Sequence, residues 1–360
     1  MVEASTIVDF QKVLSNWYMA MVELDMPLAH KQKEEADFLM QHMSTDEKTK
    51  TYYRLIDFRY RVMTEASLQA PSQQTGVFQD SIRETDQVLQ YLYAYMEGHY
   101  EFHNGRYKQA INFFEMAGNH LDGVRTEEKG EFYHRVGETY YRINQFTVAL
   151  AYFDKALTLY ESQNMSHRMI FSWLFTGAIY SELYLFDKAE HYYQKILVAG
   201  EERTNETQGL IKRAVALHRI RQEHFHEASI LLEDSIELLS DYVIVQIKSK
   251  CNLANIYFRI GKVEAGTDLL LESEKLASKY GLTEYIARCL ATRGLYIEED
   301  LKFVDNAIEM LRSNKLFFEA TEICEETSNY FVTENNFVFA YEYMKKANTF
   351  RINHQIIGDD

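Results

Sequence analysis

His99 and His103 stand four residues apart in a helical stretch, so both imidazoles fall on one face, a spacing that metal ions use. Glu101 lies between them, but the order is not HExxH and the sequence offers no third ligand beside them, so no metal site is expected. His224-Phe225-His226 sits at a turn, where Phe225 is the packing residue and the histidines face solvent. Cys251, Cys289 and Cys324 form no CxxC pair, and each falls in a helical stretch, as expected for reduced, buried thiols. The chain shows no glycine-rich phosphate loop and no nucleophile elbow, so no cofactor is expected. The segment Ser44-Thr45-Asp46-Glu47 reads as a capping box, Ser44 as N-cap and Glu47 three residues on. A carboxylate at Glu47 is also able to accept a proton from water. These groups are scattered, and what positions them is informative in itself.

A small residue recurs about every 39 positions inside one pattern: Ala110, Ala149, Ala189, Ala228, Gly266, Ala307 and Ala340. Gly98, Gly137, Gly177, Ala216 and Ala254 stand twelve before the first five, with aromatics between, as in Gly137, Tyr140, Phe146, Ala149 and Phe153. Small residues at both places let two antiparallel helices approach closely, which is the signature of a tetratricopeptide repeat. The spacing exceeds the usual 34 residues, so longer helices or loops are expected. The sixth copy is offset by one residue and the last is short, as terminal repeats often are.

The first 70 residues do not follow this pattern and read as three helices. Ile7, Phe10, Val13, Leu14, Trp17 and Met21 form the stripe of the first, which Asp25 and Pro27 end by capping and opening the second. Tyr52, Leu55, Ile56, Arg59 and Met63 give the third its helical spacing. Residues 69–80, QAPSQQTGVFQD, have linker composition. The expected fold is therefore all-α: a three-helix bundle over 1–68, a linker over 69–80, and a right-handed superhelix of about seven helix pairs over 81–360. Stacked pairs of this kind enclose a groove suited to binding.

Composition agrees. Two prolines in 360 residues leave little to break helices. The net charge of −16 and the lack of a Lys/Arg cluster argue against direct nucleic-acid binding and favour basic partners. No apolar run is long enough to span a bilayer, and the first residues carry no basic segment followed by an apolar core, so a cytoplasmic protein is expected.

The arrangement of bundle, linker and long repeats resembles the Rap proteins, peptide-regulated quorum-sensing regulators of Bacillus. The residues that carry the resemblance are Asn16-Trp17-Tyr18 in the first helix, Tyr52-Tyr53-x-Leu55-x-x-Phe58-Arg59-x-x-x-Met63 in the third, and Gly98-x-Tyr100-Glu101-Phe102 opening the first repeat. The resemblance implies that the bundle grips a phosphorylated response regulator or the DNA-binding domain of a transcription regulator, at a surface including Asp46, Glu47 and Phe58. It implies that the groove binds a short secreted pentapeptide re-imported into the cell, whose binding releases the target.

Two departures matter. Where phosphatase members of the family carry a water-orienting glutamine, this chain has Glu47. Two like unit charges about 4 Å apart at an effective dielectric of 20 repel by ~4 kcal/mol, a loss of several hundred-fold in rate. The expectation is a regulator that holds its target; hydrolysis of the aspartyl phosphate is the alternative. In the groove, Glu182 falls at the family's peptide-facing acid, whereas Ala214, with Arg213 beside it, replaces the asparagine that clamps the peptide backbone. Asn252 or Asn255, one repeat later, is the substitute expected from helical position. A direct DNA-binding regulator is a third alternative, disfavoured by the long, aromatic, acidic N-terminal helices.

Overall fold

Helix starts and stops follow the chemistry of the caps. In the computed structural model, which describes residues 2–23, 25–42, 46–65, 87–200 and 203–355, α1 spans Val2–Val22, α2 Met26–His42 and α3 Glu47–Glu65. Asp25 Oδ1 accepts from the Leu28 amide at 3.0 Å and so caps α2, with Pro27 in the first turn. Helix α3 begins differently from the expected capping box. Asp46 is its cap, accepting from the Thr49 amide at 2.9 Å and from the Thr49 hydroxyl at 2.9 Å. Glu47 is therefore the first helical residue instead of the third, and its carboxylate is free to turn outward. Ser44 and the expected linker at 69–80 lie outside the described residues.

From Gln87 onward, helices come in antiparallel pairs. They are α4 (Gln87–His103) with α5 (Tyr107–Gly118), α6 (Thr126–Arg142) with α7 (Phe146–Ser162), and α8 (Ser166–Glu182) with α9 (Phe186–Gly200). Then follow α10 (Asn205–Arg221) with α11 (Phe225–Leu238), α12 (Val243–Arg259) with α13 (Val263–Lys279), α14 (Thr283–Tyr296) with α15 (Leu301–Ser313), and α16 (Phe317–Thr333) with α17 (Phe337–Gln355). A single 3₁₀ turn, Leu121–Gly123, separates the first two pairs. The described residues contain helices and no strand. This is the repeating helix-pair packing of tetratricopeptide repeats, behind three N-terminal helices.

The small-residue pattern is what holds each pair together. Ala110, Ala149, Ala189, Ala228 and Ala307 are fully buried. A Cβ on Gly98 would come within 2.5 Å of the Phe114 ring, one on Gly137 within 2.9 Å of Phe153, and one on Gly177 within 3.2 Å of Tyr193. The glycines thus leave room for an aromatic ring from the second helix of their own pair. Each of the seven turns within a pair carries one residue in the left-handed region: Gly105, Asn144, Tyr184, Glu223, Gly261, Glu299 and Asn335. Gly and Asn adopt this geometry readily and the others at a cost.

The chain divides into two compact units, Met1–Phe175 and Thr176–Asp360, with the boundary inside α8. In the first, the stripe Phe10, Leu14, Trp17 and Met21 is fully buried, together with Leu55 and Ile56 of α3 and Tyr91 and Tyr95 of α4. The three N-terminal helices and the first repeats therefore share one core. In the second, successive pairs bury Leu232, Leu270, Leu311 and Cys324. At its end α17 leaves Phe337, Val338 and Tyr341 65–70% exposed. No helix among the described residues is long and apolar enough to cross a membrane.

Candidate functional site

The candidate site residues singled out in the sequence fall into two sets, one in each unit. At the head of α3, Glu47 is exposed and its Oε1 accepts from Lys50 Nζ at 2.7 Å. The Lys50 ammonium holds the Glu47 carboxyl below the usual carboxylate range. Asp46 is also held low, chiefly by the Thr49 amide that it caps. Phe58, eleven residues along the same helix, is 3% exposed and faces Tyr100 of α4 at 6.4 Å between ring centroids. Glu47 thus lies on the surface, whereas Phe58 is enclosed between α3 and the first repeat.

That enclosure has a polar centre. Arg59 of α3 places Nη2 2.6 Å from both Glu131 oxygens, and its Nη1 donates to the Tyr18 hydroxyl at 2.8 Å. The Tyr18 hydroxyl in turn donates to Glu128, and Arg168 reaches Glu131 at 3.5 Å. Arg59, Glu128, Glu131 and Arg168 are each under 9% exposed. Burial opposes ionisation of Glu131, but Arg59 and then Arg168 outweigh it and hold the carboxyl low. Glu128 has no such counterion; burial, then the neighbouring Glu131, push its carboxyl well above the usual range. The ion pair and the tyrosine tie α1 and α3 to α6, a link that sequence spacing does not reveal. Nearby, His99 packs edge-on to Tyr95 at 4.5 Å and to Phe114 at 5.9 Å, and burial keeps it neutral.

In the second unit, the first helix of each pair contributes to a polar surface. Arg221 of α10 reaches Glu182 of α8 at 3.3 Å and Glu322 of α16 at 3.0 Å. Arg288 of α14 holds Glu322 at 2.5 Å and Glu284 at 2.9 Å. Asn255 of α12 donates to Thr292 at 3.0 Å and to Glu326 at 2.5 Å, and Arg259 reaches Glu326 at 3.1 Å. Arg213 of α10 donates to the Tyr285 hydroxyl of α14 at 3.1 Å. Helices two and three repeats apart meet through their side chains in this way only across a surface that curves inward. The inner face of this unit is therefore lined by charge.

Of the groove residues expected from the sequence, Glu182, Arg213 and Asn255 fall in this network, while Ala214 and Asn252 are half-buried on α10 and α12. Sequence reasoning did not single out Arg221, Arg288, Glu322 or Glu326, whose partners lie on first helices one to three repeats away. Glu319, beside them on α16, is raised to about 7 by burial and then by Glu284. Cys251 and Cys289 are both buried, with their sulfurs 3.4 Å apart.

Comparison with known proteins bears on both units. The family model "response regulator aspartate phosphatase H, N terminal" matches residues 8–65, the three N-terminal helices. The chain is 33% identical to a protein of Rhodococcus hoagii named Type II methyltransferase M.CeqI, over 95% of this chain and 67% of that one. What aligns there is this chain's run of helices. Regulatory protein RapK of Bacillus subtilis (strain 168) is 26% identical over 61% of this chain and 58% of its own length. The crystal structure of a Rap protein complexed with Competence and Sporulation Factor superposes with a TM-score of 0.88 at 20% identity, covering 96% of this chain and 98% of that one. Bundle, repeats and matched segments agree: the chain belongs to the Rap family of tetratricopeptide-repeat regulators.

Proposed function

We propose that this protein is a cytoplasmic, peptide-regulated quorum-sensing regulator: its N-terminal helices hold a response regulator or the DNA-binding domain of a transcription regulator, and a short signal peptide bound in the groove releases that client. The division of labour follows the segments 1–68 and 81–360, joined by 69–80. The observation that carries this reading is the inner face of the second unit, where Glu182, Arg213, Arg221, Asn255, Arg288 and Glu322 converge from five successive first helices. A surface of charged and amide groups fits an extended peptide, whose backbone offers a donor and an acceptor at each residue. Similarity to the Rap conjugation gene regulator of the plasmid pLS20, whose structure is in complex with the Phr* peptide, supports the same ligand class.

The test is capture of clients from cytosolic extract by the immobilised full chain, with and without added pentapeptides. The reading predicts a retained client that is lost when peptide is present. Retention unaffected by any peptide would sink it.

A second reading, aspartyl-phosphate hydrolysis, has one observation of its own: the Lys50 ammonium against Glu47. That cation offsets part of the repulsion between the carboxylate and a phosphoryl group. If hydrolysis occurs, Lys50→Ala slows dephosphorylation of a phosphorylated response regulator and Glu47→Gln changes its rate. If the chain only holds its client, wild type and both variants match the uncatalysed control.

A further inference from the structure

The charges of the groove are not evenly balanced. On α10, α12 and α14, Arg219 is paired with Glu190 and Glu227, Arg221 with Glu182 and Glu322, Arg259 with Glu326, Arg288 with Glu284 and Glu322, and Arg293 with Glu274. Arg213 is the exception: among the described residues no carboxylate lies within ion-pair distance of it. Its one hydrogen bond goes to a neutral group, the Tyr285 hydroxyl, and its Nε–H is buried without an acceptor.

Tyr285 adds to this imbalance. Its side chain is 6% exposed, with the Lys248 ammonium 5.5 Å from the ring centre on one helix and the Arg288 guanidinium 6.0 Å away on another. The hydroxyl accepts from Arg213 and keeps its own proton to donate. A guanidinium N–H and a phenol O–H beside each other are the donor pair that a carboxylate accepts, in charge-assisted bonds about twice as strong as neutral ones. By contrast, the acid at Glu182 is already met by Arg221 at 3.3 Å. The charge this groove lacks is therefore negative.

We infer that Arg213 and Tyr285 form a carboxylate-binding subsite of the groove, which takes either the free C-terminal carboxylate or an acidic side chain of the peptide ligand. This rests on the reading of the groove as a peptide site and specifies the ligand's chemistry. It also accounts for the loss of the backbone-clamping asparagine at Ala214: anchoring passes from an amide on the peptide backbone to a guanidinium on a ligand charge.

The experiment uses the full chain and two equimolar random pentapeptide pools, one with free C-terminal carboxylates and one C-terminally amidated. Retained peptides are identified by mass spectrometry after gel filtration. Wild type is expected to retain peptides from the free-acid pool. A tenfold or greater loss on amidation assigns the subsite to the C-terminus, and enrichment of Asp or Glu in both pools assigns it to a side chain. Arg213→Ala should abolish that preference, Tyr285→Phe should weaken it, and Arg213→Glu should reverse it toward Lys- or Arg-containing or amidated peptides. Thermal unfolding of each variant controls for folding, and a reversal of charge preference is a change that a purely structural role would not produce. If Arg213→Ala retains the same peptides in the same amounts as wild type, the subsite is wrong while the groove stands. If wild type retains no peptide from either pool, the groove reading falls and the subsite with it.

Discussion

Glu128 shows what a single buried group does to this fold. It accepts from Tyr18 but has no cation of its own, and it stays protonated in the folded chain at pH values where the unfolded chain has ionised. The folded state then binds the extra proton, so this contribution to stability is full below the ordinary carboxylate range and is lost as pH rises above it. Glu128→Gln keeps an acceptor for Tyr18 and removes the ionisation. It should stabilise the protein by on the order of 1–3 kcal/mol at pH 8, with the gain shrinking toward pH 4; thermal melts across that range measure it. A gain independent of pH would contradict the assignment. The turn residues offer a second check. Glu223 sits at φ 62°, a conformation that costs residues with a Cβ about 1 kcal/mol or more. Glu223→Gly should be neutral to stabilising in chemical denaturation, whereas the same change in mid-helix would destabilise.

At the scale of helices, the repeats were legible because their contacts are local and periodic. Gly137 and Phe153 are sixteen positions apart, and the spacing recurs at Gly98 with Phe114 and at Gly177 with Tyr193, so one pattern exposes the whole series. Gly137→Ala should cost about 1–3 kcal/mol, since the new methyl would meet the Phe153 ring. The start of α3 differs from the expectation because Ser44 and Asp46 are both competent N-cap residues by type, and Asp46 takes the role by engaging both the amide and the hydroxyl of Thr49. The link between Arg59 and Glu131 was invisible, being a pairing over 72 residues with no period behind it. Arg59→Met leaves Glu131 with Arg168 at 3.5 Å and the Tyr95 hydroxyl at 3.3 Å and should cost about 3–5 kcal/mol; removing both charges in Arg59→Met/Glu131→Met should recover most of that. Equal destabilisation by the single and double variants in urea titrations would show that the pair is not the source.

For the molecule as a whole, family resemblance points to two surfaces, and the spacing of the repeats assigns the groove candidates to α8, α10 and α12. It did not give the state of those residues. Glu182 reads from sequence as an open acid waiting for a cation, yet Arg221, 39 positions later, covers it and carries the link on to Glu322. Arg213 reads as a bystander to a lost asparagine, yet among the described residues no carboxylate lies within ion-pair distance of it, and it donates instead to the Tyr285 hydroxyl. Such facts depend on which side chains a curved stack of helices brings face to face. A groove whose first helices are already bridged from α10 to α16 is suited to communicating occupancy along its length, because a ligand that replaces one pair changes the partners of the next. Linkage then requires that peptide and client alter each other's affinity by the same factor. The most direct measurement is therefore the affinity of the full chain for its captured client during titration with a pentapeptide retained from the free-acid pool. The account predicts a fall of about fivefold or more at saturation, of the size that allosteric coupling usually takes. A client affinity that stays constant while the groove fills would contradict it.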